Sequence, residues 1–161
     1  KEELLKANAK INWYPGHMAK TEKLLKQNSD IQEVDEEGNS AFVLAIKNHL
    51  SLEIIKEFIN KGVDPFELSD QGVGAVDIAI ESNRLDVVKY LHSLGLDLDA
   101  SKRVSDMTPL MVCACYNRVD IAKYLILNDV DSDKKDVNGL SAFDYARKLG
   151  QQSMVEFLQT V

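Results

Sequence analysis

The stretch Ser69–Ile80, SDQGVGAVDIAI, decides the fold, because its pattern recurs three more times. The other copies begin at Asp35 (DEEGNSAFVLAI), Arg103 (RVSDMTPLMVCA) and Asp136 (DVNGLSAFDYAR). Each is followed by a second apolar stretch: EIIKEFINKGVD, DVVKYLHSLGLD, DIAKYLILNDVD and SMVEFLQTV. The small-residue position falls at Ala45, Ala79, Cys113 and Ala146, so the period is 34, 34 and 33 residues. Repetition at that period means stacked supersecondary units, each too small to bury its own apolar face.

The local chemistry of one copy predicts its parts. The pairs Glu37-Gly38, Gln71-Gly72 and Asn138-Gly139 read as the tips of hairpin-like fingers. Ser40, Thr108 and Ser141 follow as helix N-caps, whose hydroxyls accept hydrogen bonds from free amides. Pro109 fits the first helical position, where its missing N–H costs nothing. Gly74 takes the cap slot in the second copy, so a weaker cap is expected there. Small residues in the first helix let neighbouring copies approach closely. The second helix carries its apolar residues at helical spacing, as in Ile54, Ile55, Phe58 and Ile59. Gly62 and Gly95 end it, and Asn128-Asp129 fills that place in the third copy. The first copy holds one extra residue between its helices, near Leu50 to Leu52. The third holds one near Ala100 to Arg103, with Asp106 where others have glycine, and a distorted finger is expected there.

A finger turn, a TPLHxA-like opening and two short helices at this period resemble the ankyrin-repeat family over nearly the whole chain. The resemblance implies an all-α ankyrin solenoid of about five helix pairs in one domain. Its parts are a degenerate capping half-repeat over 1–34, repeats over 35–68, 69–102 and 103–135, and a C-terminal capping repeat over 136–161. In the half-repeat Leu4, Ala7, Ile11 and Tyr14 fall on one helical face. A second resemblance covers Ile11–Lys20, INWYPGHMAK, which looks like the opening phrase of circularly permuted ribosome-assembly GTPases. Neither a GxxxxGK[ST] loop nor a base-reading Asn-Lys-x-Asp motif accompanies it, so no nucleotide chemistry is carried over.

Composition bounds the function classes. Hydrophobic residues make up 45% of the 161 residues and charged residues 28%, as in ordinary globular proteins. The net charge of −7 argues against general nucleic-acid binding, which needs a basic face. The charge is uneven: residues 1–28 hold six lysines and three glutamates, while the rest is strongly acidic. Cys113 and Cys115 lie two apart on one expected helix and cannot bridge, which suits a reducing, cytoplasmic setting. The longest apolar run, near Leu110 to Tyr116, is far short of a membrane span, and the opening residues are not expected to act as a signal peptide. His17, His49 and His92 have no cysteine at metal-ligand spacing and Cys115 has no histidine to activate it, so neither metal, cofactor nor catalysis is expected.

The family resemblance implies that a protein partner meets the finger tips and the inner ends of the first helices. In the first repeat those slots are Glu36, Glu37, Asn39, Lys47 and Asn48. In the second they are Asp70, Gln71, Val73, Glu81 and Ser82, and in the third Val104, Ser105, Met107, Cys115 and Tyr116. The fourth supplies Val137, Asn138, Leu140, Arg147 and Lys148. The set grades from acids and amides to apolar groups, with Tyr116 as aromatic anchor. The expected function is a protein–protein interaction scaffold acting as a monomer. A regulatory or stabilising subunit of an enzyme would use the same surface, and a fragment linked to a ribosome-assembly GTPase is the remoter alternative.

Overall fold

A hydroxyl or a glycine opens each first helix, and the helices fall where that pattern places them. The computed structural model describes residues 39–161 except 101. The half-repeat over 1–34, the phrase Ile11–Lys20, His17, Glu36 and the Glu37-Gly38 turn lie outside the described residues. Four helix pairs follow among the described residues. They are α1 (Ala41–Lys47) with α2 (Leu52–Asn60), and α3 (Ala75–Glu81) with α4 (Leu85–Ser93). Then come α5 (Pro109–Cys115) with α6 (Val119–Ile126), and α7 (Ala142–Lys148) with α8 (Gln152–Leu158). The architecture is all-α; an isolated bridge between Leu68 and Gly74 closes the second repeat's finger.

The chain forms two compact units, Lys1–Pro65 and Phe66–Val161. In the first, Ala45, Ile46 and Ile55 are fully buried, and the Phe42 and Phe58 rings meet edge to face at 6.0 Å. The extra residue of this repeat is Ser51. Leu50 takes the place of Arg84 and Arg118, and Ser51 becomes the N-cap of α2, accepting from Ile54 N.

In the second unit Ala79, Cys113 and Ala146 have no exposed surface, and α5 packs between α3 and α7. Leu91, Leu125 and Met154 are equally buried on the second helices. Thr108 Oγ1 accepts from Met111 N at 3.3 Å and Ser141 Oγ from Asp144 N at 3.2 Å. Gly74 has no hydroxyl to offer. Half of the missing cap is restored from the helix side, where Asp77 Oδ2 accepts from Gly74 N at 2.8 Å.

Every positive-φ residue described occupies one of three repeated slots. Gly72, Asp106 and Gly139 sit in the fingers; His49, Asn83, Asn117 and Gly150 sit between paired helices; Gly62, Gly95 and Asp129 follow the second helices. The expected distortion of the third finger is confined to its base, where the Ser69 N–Val73 O and Asp136 N–Leu140 O bonds of its neighbours have no counterpart, while its tip is regular. Asp106 adopts φ 57° and donates its N–H to Arg103 O at 2.9 Å, just as Gly72 donates to Ser69 O and Gly139 to Asp136 O. Aspartate tolerates the left-handed region better than most residues, so the tip is kept. The extra residue is absorbed in the linker before the finger. There the Lys102 carbonyl presses so closely on Gly72 that a Cβ would collide with its oxygen and lie 2.7 Å from its carbon.

Candidate protein-binding face

Adjacent fingers are tied by one backbone hydrogen bond each. Val104 N donates to Gln71 O at 3.2 Å, and Val137 N donates to Ser105 O at 3.1 Å. The bonds repeat in register, so residues of equal slot sit side by side along the finger row of the second unit. Val104 is 71% exposed and Val137 62% exposed at the same slot of neighbouring fingers. Asp70 and Gln71 are exposed, while Val73, Met107 and Leu140 are half-buried behind the tips. Asn138 is exposed too, with its backbone N–H and its amide both donated to Asp136.

Asp136 anchors this last finger. Its buried carboxylate accepts from Asn138 N, Leu140 N and, at 2.6 Å, the Tyr145 hydroxyl. The Tyr145 hydrogen bond holds Asp136 below the usual carboxylate range, and the same bond pushes the Tyr145 phenol up to about 12.

The inner ends of the first helices form the second row. Tyr116 is the C-cap of α5 and 45% exposed. Its phenol is pushed up by burial, then by the charge of Glu81 and a hydrogen bond with it. Glu81 also lies 3.7 Å from Arg103 Nη2, and Arg103 Nε is bonded to Asp77 Oδ1 at 3.0 Å. Glu81 is therefore engaged inside the protein rather than offered free, a coupling invisible in the sequence. Cys115 is half-buried, and burial raises its thiol above the ordinary value. Ser82 is the C-cap of α3.

The fourth repeat differs from the expected assignment by one residue. The C-cap of α7 is Leu149, so Lys148 and Leu149 occupy the slots of Cys115 and Tyr116. Leu149 is 52% exposed, an apolar group that sequence reasoning missed. Arg147 takes the slot where Ile80 and Ala114 are fully buried; it is exposed instead and lies over the Phe143 ring at 5.8 Å. In the first unit Asn39 and Lys47 are paired at 2.8 Å, and the Asn48 amide is spent on Leu44 O. Glu36 and Glu37 lie outside the described residues.

Sequence reasoning also missed the residue opening each second helix. Arg118 donates through Nε to Ile80 O at 3.2 Å and through Nη2 to Glu81 O at 2.5 Å. Gln151, at the same slot, donates to Cys115 O at 3.2 Å. Each thus satisfies carbonyls at the end of the preceding repeat's first helix, which α-helices otherwise leave open. The recurrence of Arg84, Arg118 and Gln151 at one slot was the available signal.

A family model for ankyrin repeats in three copies matches residues 11–102 and 96–160. The chain belongs to the ankyrin-repeat family. Ankyrin repeats are in general protein–protein interaction modules and a non-catalytic fold. Among its curated relatives is glycerophosphocholine phosphodiesterase gde1 of Schizosaccharomyces pombe, 28% identical over 66% of this chain and 9% of that protein. The nuclear factor NF-kappa-B p105 subunit of Gallus gallus is 28% identical over 86% of this chain and 14% of that protein. The ARF GTPase-activating protein GIT1 of Homo sapiens is 30% identical over 55% of this chain and 12% of that protein. This ankyrin stretch therefore spans well under a fifth of these relatives, which are named for different roles. No helix among the described residues is long and apolar enough to cross a membrane.

Proposed function

We propose that this ankyrin-repeat chain is a protein-binding scaffold, without catalysis or cofactor of its own, that holds a protein partner on the finger tips and first-helix ends. The observation that carries the reading is the set of exposed apolar groups at equal slots of neighbouring repeats. They are Val104 and Val137 on the fingers and Tyr116 and Leu149 on the helix ends. Such side chains are not used by the core of their own repeats, and clustered apolar groups around an aromatic are what interface hot spots consist of. The proposed set also takes in Met107, Leu140, Asp70, Gln71, Val73, Ser82, Ser105, Cys115, Asn138, Lys148, Glu81 and Arg147 of the second unit. In the first unit Asn39, Lys47 and Asn48, together with Glu36 and Glu37, complete the proposed set. We take the scaffold to act as a cytoplasmic monomer; the two free cysteines fit the reducing compartment.

Affinity capture from the source cell's lysate tests the reading. The wild type is compared with the Tyr116→Ala/Met107→Ala double variant, with circular dichroism confirming the fold of both. A stoichiometric protein lost in the variant is the expected result, equivalent to a few kcal/mol of binding energy. Equal recovery by both proteins removes this face from the function.

A further inference from the structure

The tip of the fourth finger joins two residues that are able to react with each other. Of the chain's asparagines, Asn138 alone precedes a glycine. The Gly139 nitrogen is placed along the chain to close a succinimide ring on the Asn138 side-chain carbonyl. Glycine, lacking a Cβ, leaves that nitrogen open to approach. The neighbouring fingers hold no such pair in these slots. Gln71-Gly72 would need a larger ring and has the Lys102 carbonyl pressed on its glycine, and Ser105-Asp106 has no side-chain amide to react. Asn138 and Gly139 are both exposed, and a Cβ at Gly139 would meet nothing within 4 Å.

Asp136 holds both partners. Its carboxylate accepts from Asn138 N at 2.9 Å and from Asn138 Nδ2 at 3.3 Å, and its backbone carbonyl accepts from Gly139 N at 2.9 Å. Ring closure needs a Gly139 nitrogen stripped of its proton and an Asn138 carbonyl turned toward it. Here the Gly139 proton is given to a carbonyl, and the Asn138 amide is tied to a carboxylate whose charge opposes a second anion beside it. Asp136 is in turn fixed by the Tyr145 hydroxyl at 2.6 Å and by Leu140 N at 2.9 Å. It is itself buried, so water does not compete for these bonds.

We propose that Asn138-Gly139 is a deamidation site that Asp136 keeps closed while the fourth finger is folded. When the finger opens, the Gly139 nitrogen attacks Asn138 Cγ. The new C–N bond forms as the Cγ–Nδ2 bond breaks, and ammonia leaves with the proton from Gly139. Water then opens the ring at either carbonyl, giving aspartate or isoaspartate, with no oxidant or reductant involved. Either product adds a negative charge beside the Asp136 carboxylate. Isoaspartate also lengthens the main chain inside the closure made by Asp136 N with Leu140 O and Leu140 N with Asp136 Oδ1. Refolding does not reverse the change, so the finger that carries Val137 keeps a covalent record of its own openings. The site lies on the proposed binding face, but its chemistry does not depend on what binds there.

Incubating the whole chain at neutral pH tests this, with Asn138 followed by proteolysis and mass spectrometry and isoaspartate separated by chromatography. The folded chain should deamidate at Asn138 at least about tenfold more slowly than the same chain in guanidinium chloride, because only the open fraction reacts. Tyr145→Phe and Asp136→Asn, each checked by circular dichroism, should react about tenfold faster than wild type under native conditions. Arg118→Ala, which lowers stability without touching this finger, should keep the wild-type rate. Gly139→Ala should slow the reaction even in the denatured chain, and no slowing would overturn Gly139 as the attacking residue. Equal rates in folded and denatured wild type overturn the protection, a comparison that needs no variant. Acceleration by Arg118→Ala equal to that by Tyr145→Phe overturns it as well, since protection would then belong to global stability instead of Asp136. So does an unchanged rate in both Tyr145→Phe and Asp136→Asn.

Discussion

Tyr145 donates its hydroxyl to the buried Asp136 carboxylate at 2.6 Å, joining α7 to the finger that precedes it. Replacing Tyr145 with Phe leaves that carboxylate short of a donor and should cost about 1–3 kcal/mol at neutral pH by urea denaturation. The pH dependence follows from the shifts. Asp136 is depressed in the fold, so its contribution is complete above the unfolded carboxylate value and fades as acid titrates it through its lower folded value. Tyr145 is raised to about 12, so its contribution is complete below the ordinary phenol value and is lost as pH climbs toward 12. Tyr145→Phe should therefore lose stability less steeply than wild type on the alkaline side. Parallel curves would show that the bond does not survive in solution.

Gly72 and Gly139 occupy the same left-handed slot but face different surroundings. A methyl at Gly72 meets the Lys102 carbonyl, whereas one at Gly139 meets nothing within 4 Å. Gly139→Ala should cost about 1–2 kcal/mol, the strain of the backbone region alone. Gly72→Ala adds overpacking against a neighbouring backbone and should cost about 3 kcal/mol or more. Comparing the two urea midpoints measures how tightly the third linker is seated; equal losses would mean that it yields.

Arg118 makes two hydrogen bonds to carbonyls at the end of α3, and Gln151 makes one to the end of α5. Arg118→Ala should cost about 2–3 kcal/mol, because charged donors bind more strongly and two acceptors are left open. Gln151→Ala should cost about 1 kcal/mol. Thermal melts rank the pair, and the reverse order would place the cohesion between repeats elsewhere.

Ser51 caps α2 with a 3.5 Å bond from Ile54 N. At that length Ser51→Ala should cost about 0.5–1 kcal/mol. Amide exchange should quicken at the start of α2 first, ahead of any change in the second unit. A global change with no local one would assign Ser51 a different role.

Much of this architecture was legible because the physics repeats along with the sequence. A hydroxyl before an apolar run marks a helix start, and the Ala45, Ala79, Cys113 and Ala146 positions mark the close approach of helices. Gly62 and Gly95 announced their left-handed backbones. His49, Asn83 and Asn117 adopt the same region without a glycine to announce it. The fourth repeat shows why side-chain character alone misleads near an end. Arg147 and Lys148 look like the polar pair of a solvent face, whereas the C-cap at Leu149 places the apolar residue outside and Arg147 in the stacking slot. Glu81 read as an available acid because Arg103, 22 positions along the chain, is brought beside it only by folding.

The single hydrogen bond that the third and fourth fingers each give to the one before acts as a ruler. Repeat length varies between 33 and 34 residues, and the surplus is taken up behind the fingers, at Ser51 in one copy and in the stretch before Arg103 in another. The pitch of the Val104 and Val137 row is set by Gln71 O and Ser105 O instead of by the amount of chain between them. Loop length and surface lettering are thereby uncoupled. Substitutions along the row can rewrite what is recognised one character at a time, without disturbing the spacing at which the characters are read.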